Sequence, residues 1–171
     1  MIHLYCGDGK GKTTAAMGLA LRMAGRGRGV VIAQFLKGAD SGERRALALL
    51  PQVTLLEVPQ QIKFTFQMSP EEREAECRRA LALLGQAEAL AFESGCGLLV
   101  LDEACGAVET GLLPLSALLA ALDRLPKKLE VALTGQNPAP ELLERAHYVT
   151  EMKKIKHPYD AGRAARAGVE Y

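Results

Sequence analysis

No stretch of this sequence approaches the roughly 20 consecutive apolar residues that a membrane-spanning helix requires. No C-x-x-C pair occurs among its four cysteines, Cys6, Cys77, Cys96 and Cys105, so neither a zinc site nor a thioredoxin-type centre has its usual signature. The thiols read as reduced, small apolar side chains, and a chain of 171 residues can bury a core without a disulfide framework. Cys6 and Cys105 flank the motifs described below, which leads to an expectation of sensitivity to thiol reagents. Net charge is only +1, so no global field draws the chain to nucleic acid or to an anionic membrane. Internal repeats, low-complexity tracts and linkers are also missing, and residues 1–171 read as one domain. Six residues precede the first glycine-rich segment, too few for a signal peptide, and the expected location is cytoplasmic.

What is present is alternation. Short apolar runs at 2–5, 30–35, 53–58, 98–101 and 129–133, with a weaker one at 148–152, are separated by helical patterns. The helices are expected at 12–25, 42–50, about 69–93, 115–125 and 140–146. The first is rich in small residues (Ala15, Ala16, Gly18, Ala20, Ala24), which suits close packing on a sheet. The third opens with Ser69, Pro70 and Glu72, a capping box with proline at the first helical position, and its apolar face reads as Cys77, Leu81, Leu84, Ala87 and Ala91. Runs that are continuous rather than alternating belong to strands covered on both faces. The pattern predicts an α/β fold of three layers around a mostly parallel sheet of about six strands. The tail, 153–171, is polar and basic without a clear period; Asp160 and Glu170 interrupt its charge, which argues against a nucleic-acid arm.

Ligands bind such folds at the carboxyl ends of the strands, and every motif here falls at such an end. Gly7-Asp8-Gly9-Lys10-Gly11-Lys12-Thr13 follows the first strand and opens the first helix. Three glycines in five residues permit a tight loop of inward backbone N–H groups. The helix adds its N-terminal donors, Lys12 a charge for phosphates, and Thr13 a hydroxyl for a magnesium ion. The usual spacing, G-x-x-x-x-G-K-[ST], puts the first glycine at position 6, where Cys6 stands; the loop is one residue short. The apolar run at 98–101 ends in Asp102 and Glu103, adjacent carboxylates suited to a hard divalent cation with oxygen ligands.

These residues resemble the P-loop corrinoid adenosyltransferases. The resemblance is carried by the short loop through Thr14, by Gln34-Phe35-Leu36-Lys37-Gly38 with Gly42-Glu43, by Phe64-Thr65-Phe66, Leu101-Asp102-Glu103 and Thr134-Gly135, and by Lys156-His157-Pro158-Tyr159-Asp160-Ala161-Gly162. It runs nearly the whole length in order. It implies a single-domain P-loop, RecA-like fold and transfer of the 5′-deoxyadenosyl group of ATP to the cobalt of a reduced corrinoid, with release of triphosphate. In that family the nucleotide lies in the loop in the reverse sense, and the missing loop residue is consistent with this. The resemblance makes Lys12, Thr13 and Glu103 the catalytic residues and assigns magnesium (or manganese) to Thr13, Asp102 and Glu103. It places ATP on Gly7, Asp8, Gly9, Lys10, Gly11, Lys12, Thr13 and Thr14, with Arg22 and Gln136 assisting. It places the corrinoid against Phe64, Phe66, His157 and Asp160, with Lys37 and Lys156 lining the pocket. It also implies a flavoprotein reductant and a homodimer, and no membrane or nucleic-acid partner.

Phe64 and Phe66 are two apart, so on an extended segment their rings share a side, and polar neighbours (Gln60, Gln61, Lys63, Gln67) weigh against a buried strand. In the family this segment packs beneath the corrin ring and excludes the lower axial ligand of cobalt. Three departures stand out: Phe66 where the family commonly has tryptophan, Lys63 where it often has glycine, and Gln136 where it often has arginine. Two other readings are an ATP-hydrolysing or phosphoryl-transferring P-loop enzyme, which makes ADP and phosphate, and a non-catalytic nucleotide- or corrinoid-binding protein.

Overall fold

The apolar runs become the six strands of one all-parallel sheet: β1 (Ile2–Cys6), β2 (Gly29–Gln34), β3 (Val53–Leu55), β4 (Cys96–Asp102), β5 (Glu130–Thr134) and β6 (Tyr148–Glu151). They are seen in a computed structural model, which describes residues 1–39, 41–93 and 95–169; Glu170 and Tyr171 of the basic tail lie outside the described residues. The spatial order is β3-β2-β4-β5-β1-β6. β5 therefore stands between the strand that feeds the glycine loop and the strand that ends in Asp102. Tyr5 is level with Thr134, and Gln34 with Asp102, so four strand ends meet at one edge of the sheet.

Both faces of the inner strands are covered, because successive residues of a buried strand serve opposite cores; β6 at the edge is exposed throughout. Val31, Ala33, Leu99, Leu101, Val131 and Leu133 face one core; Val30, Ile32, Leu98, Val100 and Ala132 face the other. The second core is closed by Ala16, Met17, Ala20 and Ala24 of α1 (Lys12–Ala24) and by Leu47 of α2 (Gly42–Leu47). The first is closed by α3 (Pro70–Ala91), α4 (Ala104–Glu109), α5 (Leu115–Arg124) and α6 (Pro140–Arg145). Each fully buried leucine of these cores contributes about 1.5–3 kcal/mol. The small residues of α1 let its axis approach the sheet, which brings its first turn beside the strand ends.

Local signals explain most boundaries. Ser69 Oγ accepts from the Glu72 N–H at 3.2 Å and the Glu72 carboxylate accepts from the Ser69 N–H at 3.0 Å, the expected capping box with Pro70 behind it. The buried face of α3 is Ala80, Leu83, Leu84, Ala87 and Ala91; Leu81 is exposed and Cys77 half-buried, so the face lies about one residue round from the expected one. β3 is three residues long rather than six, and α2 stops at Leu47 rather than 50. α4 was not expected at all. Ala104, Cys105, Gly106 and Ala107 are buried in succession and only Glu109 is exposed, so six residues show no amphipathic period.

Candidate active site

The loop is shaped by the chain that follows β6. Gly7 has φ 92, and its N–H donates to the Gln136 carbonyl at 2.9 Å. A Cβ at Gly7 or at Gly9 would stand 2.6 Å from the Met152 carbonyl oxygen, which is why neither position can carry a side chain. The Gly9 N–H donates to that same oxygen, and Asp8 Oδ1 accepts from the Lys154 N–H at 2.8 Å. Lys12 Nζ donates to the Gly7 and Gly9 carbonyls at 2.7 and 2.8 Å, which holds its charge against the loop. Gly11 begins α1 with no side-chain cap, leaving the first-turn N–H groups as donors for an anion.

Asp102 is fully buried and gathers four donors. Oδ1 accepts from Thr13 Oγ1 at 2.9 Å and from Thr134 Oγ1 at 2.8 Å; Oδ2 accepts from Gln34 Nε2 at 3.0 Å and lies 3.3 Å from Lys37 Nζ. Thr134 Oγ1 in turn accepts from the Glu103 N–H at 2.8 Å. Four donors fill the acceptor sites of one carboxylate. Thr13 has given its only proton to Asp102, so its oxygen lone pairs remain for a cation.

Glu103 is the opposite case. It holds φ 58, the one left-handed non-glycine residue among those described. Burial, with the Asp102 charge beside it, pushes its carboxyl above the ordinary range. Left-handed backbone and an upshifted acid cluster at functional sites. Lys37 shows a different balance. Burial pulls its ammonium down, but Asp102 and then Glu43, bonded at 2.8 Å, outweigh it and hold it above the usual lysine value.

A cavity of about 610 Å³ opens here, lined by Gly9 to Thr14, Met17, Lys37, Gly42, Glu43 and Glu103, and by Gly168 and Val169 of the tail. That volume suits a nucleotide-sized ligand. Thr13 and Glu103 line the cavity as a hydroxyl and a carboxylate, oxygen ligands that fit a hard divalent cation; Asp102, expected as a third ligand, has its acceptor sites taken and stands behind Thr13 instead. Among the described residues no cluster of three or more His, Cys, Asp or Glu offers another metal site.

Other expected residues stand apart from this cavity. Arg22 is exposed in the last turn of α1, about 13 Å along the helix from Thr13. Gln136 meets the loop through its carbonyl, with its side chain exposed. Asp8 faces the tail. Phe64 and Phe66 are not on an extended segment: Thr65–Gln67 is a 3-10 turn, and the two rings stack with centroids 5.4 Å apart. They share a side as expected, by a different local geometry, and at 69% and 80% exposure they are not core. His157 Nδ1 accepts from the Tyr159 N–H, and Asp160 pairs with Lys154, both on the exposed tail.

The cysteine expectation reverses. Cys6 and Cys105 are buried, and burial pushes both thiols up, Cys105 to about 12, so neither supplies thiolate for a reagent near neutral pH. Gln34 and Thr134 belong to the motifs, but their role in fixing Asp102 is not legible from sequence. A glutamine inside the apolar run at 30–35 was the available signal, because a buried amide must find partners. Gly168 and Val169 carried no signal.

Comparison with known proteins identifies the family. All of residues 1–171 match the family model described as ATP:corrinoid adenosyltransferase BtuR/CobO/CobP. The chain is 33% identical over 177 residues to the corrinoid adenosyltransferase of Escherichia coli (strain K12), covering 100% of this chain and 85% of that protein. It is 34% identical over 172 residues to the corrinoid adenosyltransferase of Pseudomonas aeruginosa, covering 100% and 83%. Among solved structures, the RadB recombinase superposes with a TM-score of 0.56 at 19% identity, over 92% of this chain and 76% of that one, a likeness of fold alone.

Proposed function

The chain belongs to the ATP:corrinoid adenosyltransferase family, and from that premise we propose that the cavity at its glycine loop binds ATP for transfer of the 5′-deoxyadenosyl group to a reduced corrinoid. The observation that carries the site assignment is the short loop closed over Lys12 beside Thr13, Asp102 and Glu103. In the reaction cobalt(I) attacks the ribose C5′, the C5′–O bond breaks, and its electron pair leaves on triphosphate. Cobalt(I) is the nucleophile, so no protein base is needed. The protein holds the chain of phosphates and aims C5′ at the metal of the substrate.

Lys12 and the N–H groups of the loop and first turn of α1 stabilise charge on the departing triphosphate. Asp102, saturated by its own donors, orients Thr13. Thr13 and Glu103, with Asp102 behind, would hold magnesium or manganese, which supplies further positive charge to the leaving group. Gly7 and Gln136 act through the loop backbone, Asp8 through the carboxylate that accepts from the Lys154 N–H, and Arg22 is a peripheral contributor. Phe64 and Phe66 offer an exposed apolar platform to the corrin ring, and His157 and Asp160 of the tail are further candidates for contact with the corrinoid. A flavoprotein that reduces the corrinoid, a homodimer and a cytoplasmic location complete the reading; among the described residues no helix is long and apolar enough to cross a membrane.

Incubation with ATP, magnesium and chemically reduced cob(I)alamin without oxygen tests it. Triphosphate and a light-sensitive carbon–cobalt bond are expected. ADP with phosphate, or binding without turnover, would refute it.

A further inference from the structure

Gln34 is fully buried at the end of β2, level with Asp102 on β4. Its amide is oriented by its neighbours. Arg44 Nη1, from α2, donates to Gln34 Oε1 at 2.8 Å, and Gln34 Nε2 donates to Asp102 Oδ2 at 3.0 Å. The flipped amide would set a donor against the guanidinium and an oxygen against the carboxylate, so only one orientation satisfies both. Arg44 is itself fixed, because Nη2 donates to the Leu56 carbonyl at 2.8 Å. Lys37 is the competitor: it reaches Oδ2 from the cavity side while bonded to Glu43. Without Gln34, Lys37 alone holds Oδ2, and the orientation of the Oδ1 that Thr13 shares with Thr134 is no longer fixed from the buried side.

We propose that Arg44 and Gln34 are a positioning relay that locks the Asp102 carboxylate, keeps the Thr13 proton on Asp102, and so keeps the Thr13 lone pairs on the cation that accompanies ATP. The relay touches neither substrate; it acts through Asp102. It rests on the reading of Thr13 and Glu103 as the cation site.

The test measures ATP affinity by calorimetry with and without manganese, and with no corrinoid present. The relay predicts that manganese tightens ATP binding to the unaltered protein. Gln34→Met, similar in volume, and Arg44→Met should each lose about tenfold in affinity with manganese while metal-free affinity changes less than about twofold. The double variant should be no weaker than the weaker single one, because the two residues act as one unit. Arg44→Lys should not restore binding, since an ammonium lacks the fork that holds Gln34 and Leu56 together. Equal losses with and without the metal, additive losses, or recovery with lysine would each overturn the relay. Should Gln34→Met fail to fold, the two Arg44 variants decide alone. No effect of manganese on the unaltered protein would sink the cation-site reading itself, and the relay with it.

Discussion

The glycine-loop centre and the aromatic segment at 56–68 are built on opposite terms. At the first, Asp102 is completely buried and every acceptor position on it is taken, while Lys12 is clasped by two loop carbonyls. At the second, two stacked phenylalanines stand in solvent on a single 3-10 turn. That turn is held by the Gln67 N–H on the Phe64 carbonyl, a Lys63–Glu72 ion pair, and the Ala39 N–H on the Pro59 carbonyl nearby. On the proposed function the contrast follows from the ligands. A polyphosphate is recognised by donors whose directions must be set beforehand, because reorganising them during reaction is costly. A broad planar ring needs area, and exposed aromatic faces provide it. Changes in the first region should therefore damage catalysis or folding, and changes in the second should leave the fold intact.

Lys12→Ala should give the largest effect. It removes the ammonium that the Gly7 and Gly9 carbonyls hold against the loop, and turnover should fall by about 10³ or more. Thermal stability should hardly move, since Lys12 is bonded to carbonyls that water can serve as well. A comparable fall in melting temperature would mean that Lys12 is structural. Gly9→Ala comes next and breaks the region mechanically. Its Cβ would meet backbone atoms of residues 152 and 153 at 2.6–2.9 Å, and backbone cannot swing aside as a side chain can. A stability loss of about 1–3 kcal/mol is expected, together with weakened ATP binding. An unaltered melting temperature would show that the chain after β6 can draw away from the loop.

The same contrast governs how much could be read from sequence. All six expected runs became strands; the first five did so because continuous apolar stretches have few other uses in a chain of this length, while β6, Tyr148–Glu151, is an exposed edge strand. Lys12, Thr13, Asp102 and Glu103 were legible because their motifs are local. The loop's dependence on Met152 was not, since a backbone bond spanning 143 positions leaves no trace in either segment's composition. α4 was hidden because its first four residues are buried in succession and its six residues are too few to show a period. The 3-10 turn at Thr65–Gln67 was hidden because a two-residue spacing of rings suits a strand equally well.

Phe66→Ala probes the second region. At 80% exposure the ring contributes little to folding, so the melting temperature should stay within about 1 °C. The reaction starting from cob(II)alamin with a reductant should slow about tenfold, while that starting from cob(I)alamin should slow much less. Equal slowing of both would remove the wedge beneath the corrin ring from the account.

The smallest effect sharpens the comparison within the first region itself. Glu103 sits beside the saturated Asp102, and its carboxyl is raised by burial and then by that neighbouring charge. A carboxyl whose folded-state pKa lies above its unfolded value stabilises the fold when protonated. That contribution is complete below the ordinary glutamate value of 4.5 and is lost as pH rises through the folded-state value. The charged Glu103 is therefore a burden on the free protein near neutrality. Glu103→Gln should raise the melting temperature by about 2–4 °C at pH 7–8, with the gain fading toward pH 4. With magnesium and ATP added the order should invert, because a cation then compensates the charge that the glutamine cannot offer. A variant that is more stable under both conditions would mean that Glu103 meets no cation, and would move the metal onto Thr13 and the phosphates alone.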